Sequence, residues 1–273
     1  MTRFTAILIL GIIIAAIVYF ITNGLPVHVP EKDPSSLLKE AFTSYSAGEK
    51  GTTVAERKND FNAALNIYKQ LDKEYSPNYG NGRLYYNIAN TYFQLGEYPW
   101  AILYYNRALA LMPRNEKVQH NLAIALGKLN LPSAPETNKT FRHLFFLHYD
   151  LSLPERLQGF FISGLILLLF ISMFIWWRKS WIKYVIFLSG IVCLLFLLSV
   201  GYTRYLEPVK GVLVKAASLY RDAGTQYAKV IPKPLPAGEK VEVLESREDG
   251  HWLKILSPNG EVGYVPMDAI RLI

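Results

Sequence analysis

The chain has 273 residues, of which 51% are hydrophobic and 19% are charged, and it contains one cysteine. A charged fraction below the roughly 25% of ordinary soluble proteins favours a membrane protein with one or two globular domains. The formal net charge of +7 does not indicate nucleic-acid binding, because most of the excess comes from Arg3, Arg178, Lys179 and Lys183, all beside apolar runs.

The first of these apolar runs, residues 4–21, is uncharged and follows Arg3. We expect residues 1–24 to be either an uncleaved signal anchor or a signal peptide cleaved after Thr22-Asn23-Gly24. The run is longer than the usual apolar core of a signal peptide, which favours the anchor. In both cases the positive charge before the run predicts that the chain after it is exported.

Residues 80–115 contain small and large apolar residues at helical spacing on two segments separated by Gly96 and ended by Pro113. The residues that line the expected inner face are Tyr85, Ile88, Ala89, Tyr92, Ala101, Tyr105 and Ala108, and Tyr98 is expected to pack at the turn. This pattern resembles a tetratricopeptide repeat (TPR). A single repeat cannot bury its own faces, so we expect neighbouring repeats.

Weaker copies of the pattern lie on both sides. Residues 61–71 repeat the second helix, with Ala64 placed 37 positions before Ala101, which predicts an insertion near residues 76–82. Residues 37–45 supply the matching first helix, followed by a long loop around residues 48–53, and residues 116–130 act as a cap. The sequence therefore predicts a TPR array over residues 34–132, with about two repeats and a capping helix.

The resemblance implies that first-helix positions form a concave binding groove. The candidates for this groove are Tyr86, Asn90, Phe93, Gln94, His120 and Ile124. The TPR clamp for C-terminal carboxylates pairs a lysine with two asparagines; Asn87 and Asn90 are present, but Tyr86 stands where the lysine would be. This departure argues against carboxylate capture and leaves a more aromatic groove. Alternatively, the two asparagines merely follow the common pattern of the repeat.

After a juxtamembrane linker at residues 133–156, two uncharged runs at residues 157–177 and 184–203 each match the thickness of a bilayer core, about 30 Å. We expect them to form a transmembrane hairpin over residues 157–203, with a turn of about six residues. The turn at residues 178–183 is basic and flanked by tryptophans, which predicts a cytoplasmic membrane interface. The regions before and after the hairpin then both lie on the exported side.

The last segment, residues 208–273, has short alternating runs separated by Gly, Pro and Asp. Strands are expected at residues 212–214, 218–221, 240–245, 252–256 and 262–265, with turns at residues 248–250 and 258–260. Five short strands suggest a small closed barrel.

The residues Ala217-Ser218-Leu219-Tyr220-Arg221, Gly238, Trp252 and Gly263-Tyr264-Val265-Pro266 make this segment similar to bacterial SH3-type domains, although Tyr264 replaces the commoner tryptophan. The resemblance implies a groove for peptide or cell-wall material. Its candidate residues are Tyr220, Trp252, Tyr264 and Pro266. The alternative is that these aromatic residues simply fill the core of a small barrel.

No enzyme signature is present, so we expect no catalytic, cofactor-binding or metal-binding residue and no nucleic-acid partner. The fold class expected is a multi-domain membrane protein with an all-α TPR solenoid, transmembrane helices and an all-β SH3-like barrel. This order of parts resembles the BatE-like tetratricopeptide family of bacterial aerotolerance (Bat) operons.

That resemblance implies a non-catalytic scaffold in the bacterial inner membrane, with the TPR and SH3-like modules in the periplasm. It also implies membrane-bound von Willebrand A-type Bat proteins as partners, and a MoxR-type ATPase as a further one, in envelope stress tolerance. The alternative is a sensor or anchor of the cell wall, in which the SH3-like domain binds peptidoglycan.

Overall fold

The computed structural model describes residues 33–79, 81–132, 145–247 and 251–273. The expected anchor or signal peptide at residues 1–24 lies outside the described residues, as do residues 133–144 of the linker and the turn at residues 248–250. The chain divides into two compact units. One contains Leu153–Leu206, and the other contains the described residues before and after that segment.

Five helices make up the TPR array: α1 (Pro34–Lys50), α2 (Val54–Tyr79), α3 (Gly82–Gln94), α4 (Tyr98–Leu111) and α5 (Glu116–Lys128). Consecutive helices pack against each other, as in a helical solenoid. Ala64, Ala101 and Ala108 are fully buried, and their small side chains let neighbouring helices approach closely. Gly96 has a φ of +79°, which glycine adopts without strain, and it ends α3 as the sequence predicts.

One expected detail of the first repeat was wrong. α1 continues through Gly48, so the expected long loop around residues 48–53 is reduced to residues 51–53. The insertion expected near residues 76–82 falls where α2, which is 26 residues long, runs on to Tyr79. Both extensions follow from the cooperativity of helices, since each residue added to an existing helix gains a backbone hydrogen bond without a new nucleation cost.

After the array, a short helix, α6 (Phe146–Tyr149), precedes the second unit, which is a pair of long helices, α7 (Leu153–Trp177) and α8 (Ser180–Tyr205). Both are long and apolar enough to span a bilayer, judged by length and composition. In the most apolar stretch of each helix, only 6% of α7 and 0% of α8 is buried. The core helix of a soluble protein would be mostly buried. This exposure favours membrane association.

The two long helices meet in a tighter turn than expected. Only Arg178 and Lys179 separate them, because α8 already begins at Ser180, and Arg178 has a φ of +41°. Arg156, the last residue of the expected linker, is inside α7 and 5% exposed. Its Nη1 donates to the carbonyl oxygen and hydroxyl of Ser199 and to the hydroxyl of Thr203, at 3.2, 3.1 and 2.8 Å. Arg156 therefore links the two helices near one end of the pair.

The C-terminal segment, which we call the β domain, is an antiparallel sheet. Its strands are β1 (Val209–Leu213), β2 (Lys240–Arg247), β3 (Trp252–Leu256), β4 (Val262–Pro266) and β5 (Ile270–Leu272), in the order β4-β3-β2-β1-β5. The inward-facing residues form one apolar core. It contains Leu213, Leu219, Leu235, Val241, Leu253, Ile255, Val265 and Ile270.

The prediction of a strand at residues 218–221 was wrong. Tyr220 makes only isolated bridges there, to Lys229 and Tyr264, and Ala217 makes another to Leu235. The missed strand is β5, which is only three residues long and pairs with β1. The turn expected at residues 258–260 is confirmed, since Gly260 has a φ of +91° and its N–H donates to the carbonyl of Ser257 at 3.0 Å.

The β domain and the TPR array belong to one compact unit and share a core. Val212 and Val214 are buried in the same apolar cluster as Ile102, Leu103 and other core residues of the array. The polar contacts support this packing: Lys240 Nζ donates to Asn106 Oδ1 at 3.1 Å, while Asn106 Nδ2 donates to the carbonyl of Ile102 at 2.8 Å. The two domains are thus held together through α4 rather than joined only by the chain.

Candidate functional site

The groove of the TPR array lies on the side of α3 opposite to its buried face. Ile88, Ala89 and Tyr92 face the core, with 0%, 0% and 4% exposure. Asn81 is the N-cap of α3, and its side chain accepts a hydrogen bond from the N–H of Arg83 at 2.9 Å. This cap and the glycine after the helix set its two ends.

A hydrogen-bond network of amides and phenols forms the floor of the groove. The hydroxyl of Tyr105 donates to Asn90 Oδ1 at 2.7 Å, and Asn121 Nδ2 donates to the same oxygen at 3.1 Å. Asn121 Nδ2 also donates to the hydroxyl of Tyr86 at 3.1 Å. The network joins α3, α4 and α5, so that it holds both amides in fixed orientations.

Above this network is a cavity of about 250 Å³, which we call the groove cavity. It is lined by Tyr45, Asn90, Phe93, Gln94, Tyr105, Asn121 and Ile124. None of these side chains is charged. Burial raises the pKa values of Tyr45 and Tyr105, and a hydrogen bond with Gln94 partly opposes the rise at Tyr45. Both phenols therefore keep their protons, and their capacity to donate, at neutral pH.

The structure brings together four of the six residues that the sequence nominated for this groove: Asn90, Phe93, Gln94 and Ile124 all line the cavity. Tyr86 lies beside the cavity, in contact with Asn121 and with its ring centroid 6.1 Å from that of Tyr105. His120 is exposed and is not among the lining residues.

Three lining residues were missed by sequence reasoning: Tyr45, Tyr105 and Asn121. Tyr45 lies on α1, where the repeat pattern is weak, and Tyr105 was assigned only to the inner face. Asn121 carried a usable signal, because it follows Asn87 by 34 positions, which is one TPR period.

A second cavity of about 240 Å³ adjoins the first, since Gln94 lines both. We call it the basic cavity. Its lining residues are Val54, Arg57, Lys58, Phe61, Gln94 and Leu95. It contains two positive charges and no carboxylate, whereas the groove cavity is neutral. The basic cavity is thus next to the neutral groove cavity, with Gln94 lining both.

The β domain brings its four candidate residues together. Trp252 stands opposite Pro266 across the β3–β4 pair, and the ring of Tyr220 meets the ring of Trp252 edge-on at 5.7 Å. The backbones of Tyr220 and Tyr264 exchange two hydrogen bonds, of 2.9 and 2.7 Å. Tyr264 itself is 5% exposed, as expected of a core residue, but Trp252 and Tyr220 remain half-buried and accessible.

Two cations cover the Tyr264 ring in this region. The guanidinium carbon of Arg247 and Nζ of Lys254 lie 5.7 and 5.9 Å from the ring centroid. Arg247 also donates through Nε to Glu245 at 2.9 Å, and this contact raises the pKa of its guanidinium. The region therefore combines accessible aromatic rings with positive charge. Within the described ranges, no three His, Cys, Asp or Glu side chains cluster as ligands of a metal ion would.

Comparison with known protein families agrees with this geometry. The tetratricopeptide repeat model matches residues 82–115, which cover α3 and α4, and the bacterial SH3 domain model matches residues 217–271. No curated protein matches the chain. The fold and the two surfaces thus define a protein with a TPR and a bacterial SH3 domain. Domains of these two kinds suggest protein binding, and the bacterial SH3 domain also suggests interaction with the cell envelope.

Proposed function

We propose that this protein is a non-catalytic scaffold of the bacterial inner membrane that holds an extended segment of a partner protein in its TPR groove. The observation that carries the proposal is the orientation of Asn90 and Asn121. Oδ1 of Asn90 accepts hydrogen bonds within the network. The two hydrogens on Nδ2 of Asn90 make no hydrogen bond to the described residues. Likewise, no described residue donates a hydrogen bond to Oδ1 of Asn121.

These free groups complement a peptide backbone. An extended chain presents carbonyl oxygens and N–H groups alternately, and an amide donor beside an amide acceptor can satisfy both. Each cavity, at about 240 or 250 Å³, is below the roughly 300–1,000 Å³ of small-molecule pockets, and so suits a single side chain of a bound segment better than a cofactor.

The membrane placement is supported by α7 and α8 and by the charges between them. Arg178, Lys179 and Lys183 lie at one end of the two apolar helices. By the positive-inside rule this end faces the cytoplasm. The TPR array and the β domain, which lie before and after the pair in the sequence, are then both periplasmic.

The partner proposed for the groove is a membrane-bound von Willebrand A-type protein, within a Bat-type complex for aerotolerance or envelope stress. Support for this comes from the order of parts along the chain: an apolar N-terminal run, a TPR array, an apolar helix pair and an SH3-type domain. A partner anchored in the same membrane needs only a modest affinity for the groove, because both proteins are confined to one surface.

Site-specific photo-crosslinking in whole cells tests the groove. A photoreactive amino acid at Ile124, which is 41% exposed and lines the groove cavity, should crosslink to a protein with a von Willebrand A domain. The same amino acid at Leu38, which is 45% exposed on α1 but lines neither cavity, is the matched control and should not. Equal crosslinking from both positions, or none from Ile124, would contradict the proposal.

Topology is tested with single cysteines at the exposed residues Lys69 and Lys233, in a Cys193→Ser background. A thiol reagent that does not cross the inner membrane is added to whole cells. Labelling at both positions is expected if the TPR array and the β domain are periplasmic. Protection of both positions in whole cells, with labelling after lysis, would place the domains in the cytoplasm and overturn the proposed topology.

A second candidate function, cell-wall binding by the β domain, is favoured by the surface around Trp252. Aromatic rings flanked by cations suit sugar rings and the carboxylates of wall peptides. The full chain in detergent should then sediment with purified peptidoglycan, and Trp252→Ala should reduce the sedimented fraction. Val209→Ala, at a 53% exposed position on β1, is the control. If the wild-type chain does not sediment, this candidate is excluded.

A further inference from the structure

The basic cavity suggests which segments the TPR groove selects. Arg57 and Lys58 are exposed side chains on α2, and both line this cavity. Among the described residues, neither of them forms an ion pair with a carboxylate. The neighbouring acid, Glu56, is engaged elsewhere: it accepts hydrogen bonds from the N–H and hydroxyl of Thr52 and from the N–H of Thr53, at 3.2, 3.0 and 3.2 Å.

The hydrogen bonds from Thr53 and Thr52 also lower the pKa of Glu56, so that its carboxylate stays charged as part of the helix start. It is therefore committed to the first turn of α2 rather than to its two basic neighbours. The two positive charges are left for something outside the described chain. They lie beside apolar surface from Val54, which is 84% exposed, and from Phe61 at the base.

Gln94 lines both cavities, so a segment bound along the groove cavity can reach the basic cavity past this side chain. The first cavity is neutral and offers amide groups that match any backbone, which gives affinity without sequence preference. Preference must therefore come from the second cavity. We infer that the TPR groove selects an extended protein segment carrying an aspartate or glutamate, whose carboxylate lies between Arg57 and Lys58. This inference rests on the proposed function of the groove.

The complementarity is one of charge and geometry together. An arginine presents a planar fork of donors that fits both oxygens of a carboxylate, and the adjacent lysine adds a second charge. Because both side chains are exposed, water screens the contact, and we expect roughly a fivefold gain in affinity for an acidic over a neutral residue. Binding of such segments should weaken as salt is raised.

The test uses the full-length protein in detergent, immobilised, and two pools of synthetic decapeptides with acetylated and amidated ends. Every position is drawn from uncharged residues except one central position, which is glutamate in one pool and glutamine in the other. Retention of each pool is measured by mass spectrometry. We expect the glutamate pool to be retained roughly fivefold more strongly than the glutamine pool.

Two variants with the same charge change separate a local from a general electrostatic effect. Arg57→Glu with Lys58→Glu should abolish or invert the preference for the glutamate pool. Lys69→Glu with Lys73→Glu, at exposed positions farther along α2 that line neither cavity, should retain it. An unchanged preference in the first variant, or an equal loss in both, would overturn the inference.

The remaining outcomes distinguish this inference from the proposed function. If wild-type protein retains both pools equally, and Ile124→Lys releases both, the groove binds segments but does not select acids. If neither pool is retained by wild-type protein, both the groove function and the inference fail.

Discussion

Arg107 on α4 donates hydrogen bonds from Nε and Nη2 to the carbonyl oxygen of Leu272, at 3.2 and 2.8 Å. The two residues are 165 positions apart in the sequence. Their contact joins the last strand of the β domain directly to the second helix of the TPR repeat. Arg271, which precedes Leu272 in the same strand, lies over the ring of Trp100, with its guanidinium carbon 5.8 Å from the ring centroid. The two domains consequently should unfold together.

Replacing Arg107 with alanine should weaken this coupling. The variant loses two charge-assisted hydrogen bonds and the contact of the guanidinium with the Tyr104 ring, at 5.1 Å. Since the site is partly exposed, we expect a loss of about 1 kcal/mol in the free energy of unfolding. Denaturant unfolding of the full chain measures the change. Arg83→Ala, at an exposed position on α3, is the control; an equal loss there would show that the effect is not specific to the domain contact.

Gly238 provides a sharper test of the same contact. It has a φ of +90°, and a Cβ atom at this position would lie 2.6 Å from Leu129 Cδ1, 2.9 Å from Leu131 Cδ1 and 3.0 Å from Ile102 Cδ1, all in the TPR array. Gly238→Ala therefore adds a steric clash to a backbone cost. We expect a loss of about 2–5 kcal/mol, the sum of backbone strain and overpacking.

Gly260→Ala is the matched control for that prediction. Gly260 has a φ of +91°, but no atom lies within 4 Å of its added Cβ, so this variant measures the backbone cost alone, about 1–2 kcal/mol. Thermal unfolding of both variants gives the difference. Equal destabilisation would mean that Gly238 does not pack against the array.

The sequence predicted the parts that repeat or alternate. The spacing of Ile88, Ala89 and Tyr92 placed α3, and the geometry of the repeat then placed Asn90 and Phe93 on the groove side. Contacts between distant segments have no such period. Nothing in the pattern around Arg107 indicates that it meets Leu272, and for this reason the two domains were expected as separate modules.

Short and irregular features were missed for a related reason. β5 has three residues, too few for an alternating pattern, and Tyr220 looked like part of a strand although it makes only isolated bridges. The sequence placed Arg156 only as the last residue of the linker before the apolar run. Its burial depends on partners in α8, Ser199 and Thr203, more than 40 residues away.

The buried tyrosines predict a loss of stability in alkali. Tyr68 is 2% exposed, and burial raises its pKa to about 12 from an ordinary value of 10.0. Between these pH values the unfolded chain releases the phenol proton and the folded chain keeps it. The stability that depends on this proton is complete below pH 10 and falls as the pH rises toward 12, by up to about 1.4 kcal/mol per pH unit.

Tyr68→Phe isolates this effect. Phenylalanine keeps the ring in the core but has no proton to lose, so the unfolding free energy of the variant should fall less steeply above pH 10. At pH 8 the variant and the wild type should differ little, which serves as the internal control. If the unfolding free energies of the wild type and the variant fall equally between pH 10 and 12, burial does not raise the pKa of the Tyr68 phenol.

The pair of apolar helices has a close contact that can be tested in the same way. Gly159 on α7 lies against Phe196 on α8, and an added Cβ would clash with the Phe196 ring. Gly159→Ala should therefore push the two helices apart or displace the ring, at a cost of about 1–3 kcal/mol from overpacking. Thermal unfolding of the full chain in detergent measures the loss.

Gly190→Ala on α8 is the control, because no atom lies within 4 Å of its added Cβ. Alanine favours a helix over glycine by about 1 kcal/mol, so this variant should be unchanged or slightly more stable. The two substitutions are chemically identical but are expected to have opposite signs, because only Gly159 meets the other helix. If Gly159→Ala is as stable as Gly190→Ala, α7 and α8 do not pack through Phe196, and the pair would be held together mainly by Arg156 and its partners near one end.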